Sequence, residues 1–225
     1  MEFFINLLRS VAYGIIEGVT EWLPISSTGH MILAEQVLKF SFSAEFMEMF
    51  RVVIQLGAIL AVVVLYFKKL WPFCADNGRD SGFSRHFRWP VVRLWCKIIV
   101  ACVPAAVLGL LLDDWLDAHL YNSITVALML IIYGIAFILI ERRPRVPTTT
   151  KLSRITYKQA LIVGAWQVLA LIPGTSRSGS TIIGGLLCGM SRPAASQFTF
   201  FLAIPVMAGA SGLKLVKFLA KGGVF

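Results

Sequence analysis

The stretch "PGTSRSGST", from Pro173 to Thr181, combines several hydroxyl side chains, an arginine and two glycines within an otherwise apolar chain. It divides the apolar region 159–190 into two halves, each too short to cross a membrane. Non-helical backbone at membrane depth is tolerated only where protein or a water-filled cavity surrounds it. The stretch therefore predicts a re-entrant helix pair whose polar tip lies inside a helical bundle.

A second region, residues 3–38, has the same organisation and is broken at "LPISSTG". Pro24 and Pro173 are predicted to end the two entering helices, because the residue before a proline is disfavoured in the α conformation. At an offset of 150 positions the two regions match each other. The matches are Gly14 with Gly164, Glu17 with Gln167, and Ser26-Ser27-Thr28-Gly29 with Ser176-Arg177-Ser178-Gly179. The pattern indicates an internal repeat.

The composition is that of a membrane protein. The chain has 225 residues, of which 57% are hydrophobic, with a net charge of +9 and a mean hydropathy of +0.77. This is too apolar for an ordinary soluble domain. The basic residues lie in short links between apolar stretches, which is typical of inner membrane proteins and disfavours nucleic acid as a partner. The four cysteines have no CxxC spacing, so neither a zinc site nor a redox motif is predicted.

Four stretches are predicted to be complete membrane spans, because each has the apolar length that a crossing needs. They are 50–67, 98–112, 124–140 and 194–213. The predicted fold is an all-α integral membrane protein, a multi-span helical bundle with two re-entrant helix pairs. Residues 1–225 form one transmembrane domain, in which 1–67 and 159–213 are the repeat-related parts.

Charge in the links predicts the orientation. The links 68–97 and 141–158 are rich in Lys and Arg and should be cytoplasmic, whereas 112–121 carries three aspartates and should be outside. If the orientation is followed through the spans, region 3–38 enters the membrane from outside and region 159–190 enters from the cytoplasm. The two regions then form an inverted-topology repeat, with both tips near the midplane. One basic group conflicts with this scheme, because it follows the last span at its outer end: Lys214, Lys217 and Lys221.

The first tip carries acids and a histidine. Glu17 and Glu21 are four positions apart and project from one helix face, and ionisable residues in a membrane segment indicate function. The simpler alternative is that one acid pairs with a buried arginine to hold the bundle together. The motif "SSTGH" then supplies hydroxyls and a helix start, a combination that binds anions. N-capping alone would account for one of these hydroxyls.

The second tip carries an arginine. Arg177 suits forked contact with phosphate oxygens, and the neighbouring glycines are expected to let a ligand approach the backbone. Together the two tips predict a phosphate-binding site, with acids on one side and a guanidinium on the other. From these residues alone, phosphate hydrolysis and phosphate transport are equally compatible.

The segments "EGVTEWLPISSTGH" and "PGTSRSGST" resemble the two signature segments of the bacterial undecaprenyl-diphosphate phosphatases of the BacA/UppP family. The likeness extends to "VVIQLGAILAVVV", "VPAAVLGLLL" and "SRPAASQFTFFLAIPVMAGA". It implies hydrolysis of the terminal phosphate of the C55 lipid diphosphate, which regenerates undecaprenyl phosphate for peptidoglycan synthesis and confers bacitracin resistance. It also implies the bacterial cytoplasmic (inner) membrane and an active site that opens to the outer side. Family members usually continue with further hydrophobic helices beyond the position of Phe225.

The resemblance also implies residue roles. The catalytic set is the acidic pair, a nucleophile, a base and a phosphate-binding arginine: Glu17, Glu21, Ser27, His30 and Arg177, in that order. The predicted pocket residues are Ser26, Thr28, Gly174, Thr175, Ser176, Ser178, Gly179 and Thr181. Ser27 would attack phosphorus while His30 or Glu21 takes its proton. Alternatively, Glu17 and Glu21 would hold a divalent cation, Mg²⁺ or Ca²⁺, that activates water.

The expected partners are the lipid diphosphate and the membrane, with a homodimer left open. A polyprenyl-phosphate transporter or flippase is the competing function, because re-entrant hairpins in an inverted repeat suit transport equally well. An unrelated membrane phosphatase of the acid-phosphatase type is a third reading, on the likeness of "SSTGH" to a Ser-x-Gly-His motif.

Overall fold

The computed structural model describes residues 2–74, 86–142 and 146–223. The predicted basic residues Arg79, Arg85, Arg143 and Arg145 lie outside the described residues, as do the side chains of Asp113 and Asp117. The helices are α1 (Glu2–Thr20), α2 (Ser27–Leu38), α3 (Ala44–Val53), α4 (Gln55–Leu70), α5 (Trp89–Leu120), α6 (Ser123–Glu141), α7 (Tyr157–Gln167), α8 (Arg177–Leu187) and α9 (Arg192–Ala220). Short 3₁₀ turns lie at Leu152–Arg154 and Val168–Leu171. Across the described ranges, β structure is limited to isolated bridges.

Within the described residues, five helical stretches are long and apolar enough to cross a membrane: Glu2–Thr20, Ala44–Leu70, Trp89–Leu112, Ser123–Glu141 and Arg192–Ala220. Four of them contain the four predicted spans. The prediction of an all-α integral membrane protein is confirmed.

Helix α1 is longer than the sequence analysis allowed. It runs unbroken for 19 residues, so the expectation that this half is too short to span was wrong. Its polar residues do not interrupt it because they share one face: Asn6, Tyr13, Glu17 and Thr20 are buried. The opposite face is apolar and exposed, as at Ile15, which is 62% exposed.

The helices α1 and α2 form an antiparallel hairpin. The Tyr13 hydroxyl donates to Glu35 near its open end, and the Ser27 hydroxyl donates to Glu21 at its tip. Both pairs are symmetric about Pro24. Helix α1 ends at Thr20, four positions before the proline, so Pro24 occupies the turn and does not itself end the helix.

The helices α7 and α8 form a second hairpin. Trp166 packs against Gly184, where an added Cβ would lie 2.6 Å from the Trp166 Cγ. Nearer the open end, Gln159 Nε2 donates to the Cys188 carbonyl at 3.1 Å. Both pairs are centred close to Gly174, which is offset from Pro24 by the 150 positions of the sequence repeat.

The two hairpins repeat the same local chemistry at their tips. Ser26 caps α2 by accepting from the Gly29 amide at 3.2 Å, and Ser176 caps α8 by accepting from the Gly179 amide at 3.0 Å. N-capping therefore accounts for one hydroxyl in each tip, at matched positions, and the other polar groups of the tips need a different explanation.

The hairpins open toward opposite ends of α9. At the start of α9, Ala195 packs against Gly185 of α8, beside the open end of the second hairpin. At the other end, the Phe218 ring contacts Phe46 of α3, which follows the open end of the first hairpin. This arrangement is the one that an inverted repeat requires. That the tips lie at the midplane of a membrane stays a prediction.

The lysines that conflicted with the predicted orientation lie among acids. Lys214 Nζ is 2.6 Å from Glu48 Oε1, and Lys217 Nζ is 3.7 Å from Asp114 Oδ1. The positive-inside rule counts Lys and Arg and gives little weight to Asp and Glu. The ion pairs account for these lysines locally, and their conflict with the predicted orientation stays.

The buried core fixes the second hairpin in place. Ile98 and Ala101 of α5 pack with Val163 of α7 and Phe198 of α9. At Gly164 an added Cβ would lie only 2.2 Å from the Ala101 carbonyl oxygen. Because only glycine permits this approach, Gly164 sets how closely α7 packs on α5.

Candidate active site

The two hairpin tips meet at Glu21. One carboxylate oxygen accepts from the Ser27 hydroxyl of the same hairpin, and the other accepts from Arg177 Nη2 of the second hairpin. Arg177 and Glu21 are largely buried, with side-chain exposures of 14% and 10%. We call Ser27, Glu21 and Arg177 the tip triad. Its members come from opposite halves of the chain, so the site forms only when the hairpins pack against each other.

The tip triad lines a cavity of about 630 Å³. Its polar wall comes from both tips, and its apolar wall comes from α5 and α9 through residues such as Ile99, Ala106 and Met207. The cavity continues to Leu116 and Lys214, near the acidic end of the bundle. A polar centre with a long apolar wall suits an amphiphile that has an anionic head.

Arg177 has hydrogen-bond donors that no described residue accepts. Its Nε and Nη1 atoms are buried and have no hydrogen-bond partner among the described residues. Such groups cost free energy when they are left unpaired. Nη2 carries a second N–H, and Nη2 shares one edge of the guanidinium with Nε and the other edge with Nη1. Two N–H donors on one edge match two oxygens of a phosphate. Arg177 can therefore bind a phosphate through Nη2 and one unpartnered nitrogen while Nη2 also stays on Glu21.

The start of α8 adds further donors beside Arg177. The first amides of a helix have no intrahelical acceptor, and Ser176 accepts from only one of them, that of Gly179. The hydroxyls of Ser176 and Ser178 lie 3.2 Å apart at the same helix start. The helix start and the guanidinium thus present donors to one end of the cavity, which favours an anion.

The structure brings most of the predicted site residues to this cavity. Besides the tip triad, the predicted residues that line it are Ser26, Thr28, Thr175, Ser176 and Ser178. Glu17 lies behind the lining, 2% exposed, and close enough to Glu21 and Arg177 for their charges to act on it. One Glu17 carboxylate oxygen is buried and has no partner among the described residues.

Thr181 is placed away from the cavity. Its hydroxyl donates to the backbone carbonyl of Arg177 at 2.8 Å and accepts from the Thr199 hydroxyl at 3.0 Å. The residue is 1% exposed. Its contacts attach α8 to α9, and the structure does not bring it to the pocket that the sequence analysis assigned to it.

The two glycines of the predicted pocket pack against helix α6. Gly174 has a φ of +89°, and an added Cβ would lie 2.6 Å from the Val126 carbonyl oxygen of α6. At Gly179 it would lie 2.9 Å from the Phe137 ring. At both positions the space beside Cα is occupied by α6, and neither glycine is among the residues that line the cavity.

His30 bonds to the backbone of its own hairpin tip. Its Nδ1 lies 2.8 Å from the Ser26 carbonyl oxygen, so this nitrogen is the donor, and His30 is not among the residues that line the cavity. The hydrogen bond of the Ser27 hydroxyl goes to Glu21. Of the two bases that the sequence left open, the geometry favours Glu21.

This contact predicts unequal effects for the two candidate bases. Glu21→Gln keeps the shape but removes the proton acceptor, so the turnover of a phosphomonoester or diphosphate substrate should fall at least ~10³-fold. His30→Gln, which keeps a donor for the Ser26 carbonyl, should reduce turnover by no more than about tenfold. The measurement is kcat for both purified variants at one pH. A larger loss in His30→Gln than in Glu21→Gln would make His30 the base.

The bacitracin resistance protein BacA family matches residues 10–224. The chain belongs to this family. It is 60% identical over 99% of its length to a protein of Enterococcus faecalis named undecaprenyl-diphosphatase, of which it covers 79%. Proteins of the same name from Streptococcus gordonii and Desulfitobacterium hafniense are 56% and 57% identical. These matches cover 98% and 95% of the chain, and 77% and 76% of the two relatives.

In this BacA family chain, the predicted cation at Glu17 and Glu21 can be tested against the donors present. Both Glu21 oxygens contact protein donors, one of them a guanidinium, and no group of three or more His, Cys, Asp or Glu is gathered within the described ranges. Mg²⁺ and Ca²⁺ need several oxygen ligands. The donor set in this arrangement does not fit a cation held by protein alone, and we derive no step through one.

Gln167 is a polar residue of the cavity that the sequence did not single out as a site residue. Gln167 lines it and is 2% exposed. The signal that could have found it was the repeat, because Gln167 occupies the position that Glu17 occupies in the first hairpin. Gln55 lines the cavity too, but its amide already donates to Thr28 and to the Arg51 carbonyl, at 3.3 and 3.1 Å.

Proposed function

We propose that this chain is an undecaprenyl-diphosphate phosphatase, which removes the terminal phosphate of the C55 lipid diphosphate and regenerates undecaprenyl phosphate for peptidoglycan synthesis. The observation that carries the proposal is the tip triad, in which Glu21 joins a serine hydroxyl to an arginine with two unpartnered N–H groups. The substrate is that of the relatives named undecaprenyl-diphosphatase. The apolar wall of the cavity suits the polyprenyl chain next to the diphosphate.

The chemistry follows from the contacts of Ser27. The terminal phosphate binds one unpartnered Arg177 nitrogen, Nε or Nη1, together with the second N–H of Nη2, next to the Glu21 carboxylate that holds the Ser27 hydroxyl. Ser27 Oγ attacks phosphorus while its proton passes to Glu21, and the bond to the bridging oxygen breaks with both electrons leaving on the lipid monophosphate. Arg177 stabilises the charge that develops on the phosphoryl oxygens.

A second step restores the enzyme. Water attacks the phosphoserine, and the bond between Ser27 Oγ and phosphorus breaks to release inorganic phosphate. Glu21 returns to the departing serine oxygen the proton that it took in the first step, and the protons of the water leave on the phosphate, so the triad returns to its starting state. Glu17 provides a second carboxylate next to Glu21 in the same desolvated region.

The competing function is transport of a polyprenyl phosphate, which the opposite openings of the two hairpins also suit. The deciding experiment uses vesicles that contain the purified chain and undecaprenyl diphosphate. We expect inorganic phosphate to appear in proportion to the lipid diphosphate lost. Movement of the lipid between leaflets without phosphate release would support the transporter and contradict the phosphatase.

The orientation is part of the proposal. The protein resides in the cytoplasmic membrane. Its site opens outward, because the cavity runs from the tips toward Lys214 and toward Leu116, which lies in the acidic link 112–121. Hydrolysis there consumes the diphosphate that bacitracin sequesters, so overproduction is expected to raise bacitracin resistance. A homodimer stays a prediction.

Cysteine labelling tests the orientation. In a variant that lacks the four native cysteines, Asn122→Cys in the link between α5 and α6 should react with an impermeant reagent added to intact cells. Ser153→Cys in the link before α7 should react only after the cells are opened. The reverse labelling pattern would contradict the outward site and the inverted repeat together.

A further inference from the structure

Gln167 has a buried side-chain amide that lacks hydrogen-bond partners among the described residues. It is the last residue of α7, and its Nε2 and Oε1 atoms are both buried without a hydrogen-bond partner among the described residues. A buried amide in this condition costs free energy. Gln167 also lines the cavity that holds the tip triad, so a bound molecule can supply the missing partner.

The repeat indicates why this position carries an amide. Gln167 is the counterpart of Glu17, and Leu171 is the counterpart of Glu21. The second hairpin thus lacks both acids of the first. A carboxylate beside Arg177 would repel an anion, whereas the amide N–H can donate to one. The side of the cavity formed by the second hairpin is built to receive negative charge.

Gln167 makes no hydrogen bond with any member of the tip triad, although all four residues line one cavity. The triad accounts for the terminal phosphate in the proposed function, on which this inference rests. We propose that the Gln167 amide donates to the proximal phosphate, the one that stays on the lipid after hydrolysis. Gln167 would then select a diphosphate whose two phosphates reach the triad and the amide together.

The contact should exist before and after hydrolysis, so its loss should weaken binding and leave the chemical step intact. Gln167→Met removes the amide and keeps an unbranched chain of similar length. We expect KM for undecaprenyl diphosphate to rise about tenfold or more with kcat within about threefold, because binding common to ground and transition states sets KM. The inhibition constant of undecaprenyl phosphate should rise by the same factor, and that of inorganic phosphate should not change.

Thermal stability separates a binding role from a structural one. Because Met replaces an unsatisfied amide, Gln167→Met should melt at the same temperature as the parent or a few degrees higher. A structural amide would give a lower melting temperature. Gln159→Met is the matched control: this amide donates to Thr149 and to the Cys188 carbonyl, both at 3.1 Å. Its loss should lower the melting temperature without changing the phosphate affinities.

A second variant keeps the shape. Gln167→Glu retains the size of the side chain but adds a negative charge, so it should raise KM more than Gln167→Met does. The proposal fails if both variants keep KM and the lipid monophosphate inhibition constant within twofold of the parent. It also fails if the inhibition constant of inorganic phosphate rises in parallel, because Gln167 would then contact the terminal phosphate.

Direct binding makes this test independent of turnover. Undecaprenyl diphosphate is titrated into the parent and into Gln167→Met, each in the Ser27→Ala background. Hydrolysis is measured separately with the unsubstituted chain. If the unsubstituted chain hydrolyses the lipid but Gln167→Met does not weaken binding in the Ser27→Ala background, the inference is wrong and the proposed function stands. If the unsubstituted chain does not hydrolyse the lipid but Gln167→Met weakens binding, the proposed function is wrong and the binding role of Gln167 stands.

Discussion

Ser27→Ala is expected to lower the turnover of undecaprenyl diphosphate by about 10⁴-fold, because the substitution removes the attacking oxygen and its hydrogen bond to Glu21. Binding should change much less, since one hydrogen bond is worth only ~1 kcal/mol. The measurement is kcat set against the dissociation constant of the lipid diphosphate in the same variant. A transport site would show the opposite balance, with weakened binding and no phosphate release to lose.

A buried serine outside the cavity provides the control. Ser211 is 2% exposed, and its hydroxyl donates to the Val52 carbonyl at 3.0 Å. Ser211→Ala should leave turnover within about threefold of the parent. If Ser27→Ala keeps hydrolysis within about tenfold, Ser27 is not the nucleophile, and water activation by Glu21 and Glu17 becomes the preferred scheme.

Arg177→Lys is expected to lower turnover by at least ~100-fold, or about 2.7 kcal/mol of transition-state stabilisation. Arg177 uses one nitrogen for Glu21 and has two others unpartnered. Lysine keeps the charge, but its single ammonium cannot hold Glu21 and grip two phosphate oxygens in the same geometry. The measurement is kcat/KM for the lipid diphosphate at fixed detergent concentration.

Arg51 is a matched control for this substitution. It is partly buried, and its Nη1 alone contacts both oxygens of Glu35, at 2.9 and 2.7 Å. A lysine can reproduce contact through a single nitrogen, so Arg51→Lys should keep turnover within a few-fold. Near-normal turnover in Arg177→Lys would reduce Arg177 to a structural ion pair, the simpler alternative that the sequence left open.

The sequence predicts most of this fold because lipid-facing helices carry a strong hydropathy signal. The four predicted spans lie within four of the five candidate spans, and the offset of 150 positions recurs in the geometry of the two hairpins. The length of α1 is harder to predict, because polar residues within an apolar stretch resemble interruptions. Their three- and four-residue spacing, from Tyr13 through Glu17 to Thr20, places them on one buried face.

The site was predicted less completely, since residue type does not say what a side chain contacts. Hydroxyls that line a cavity and hydroxyls that bond to their own helix look alike in sequence. Thr181 is of the second kind. The glycines are ambiguous for a similar reason, because close approach of a helix and of a ligand both require the absence of a Cβ. The pairing of Ser27 with Glu21 depends on the turn around Pro24, which no local pattern predicts.

The central claim is that the two tips act as one catalytic unit, and a double-mutant cycle tests it most directly. Ser27 and Arg177 come from different hairpins and both contact Glu21. The turnover of Ser27→Ala, Arg177→Lys and the double variant is compared with that of the parent. Residues that act as a unit are strongly non-additive, so the double variant should be no slower than Ser27→Ala within about threefold. A double variant that is slower by the product of the two single effects would show that the residues act independently and would contradict a shared site.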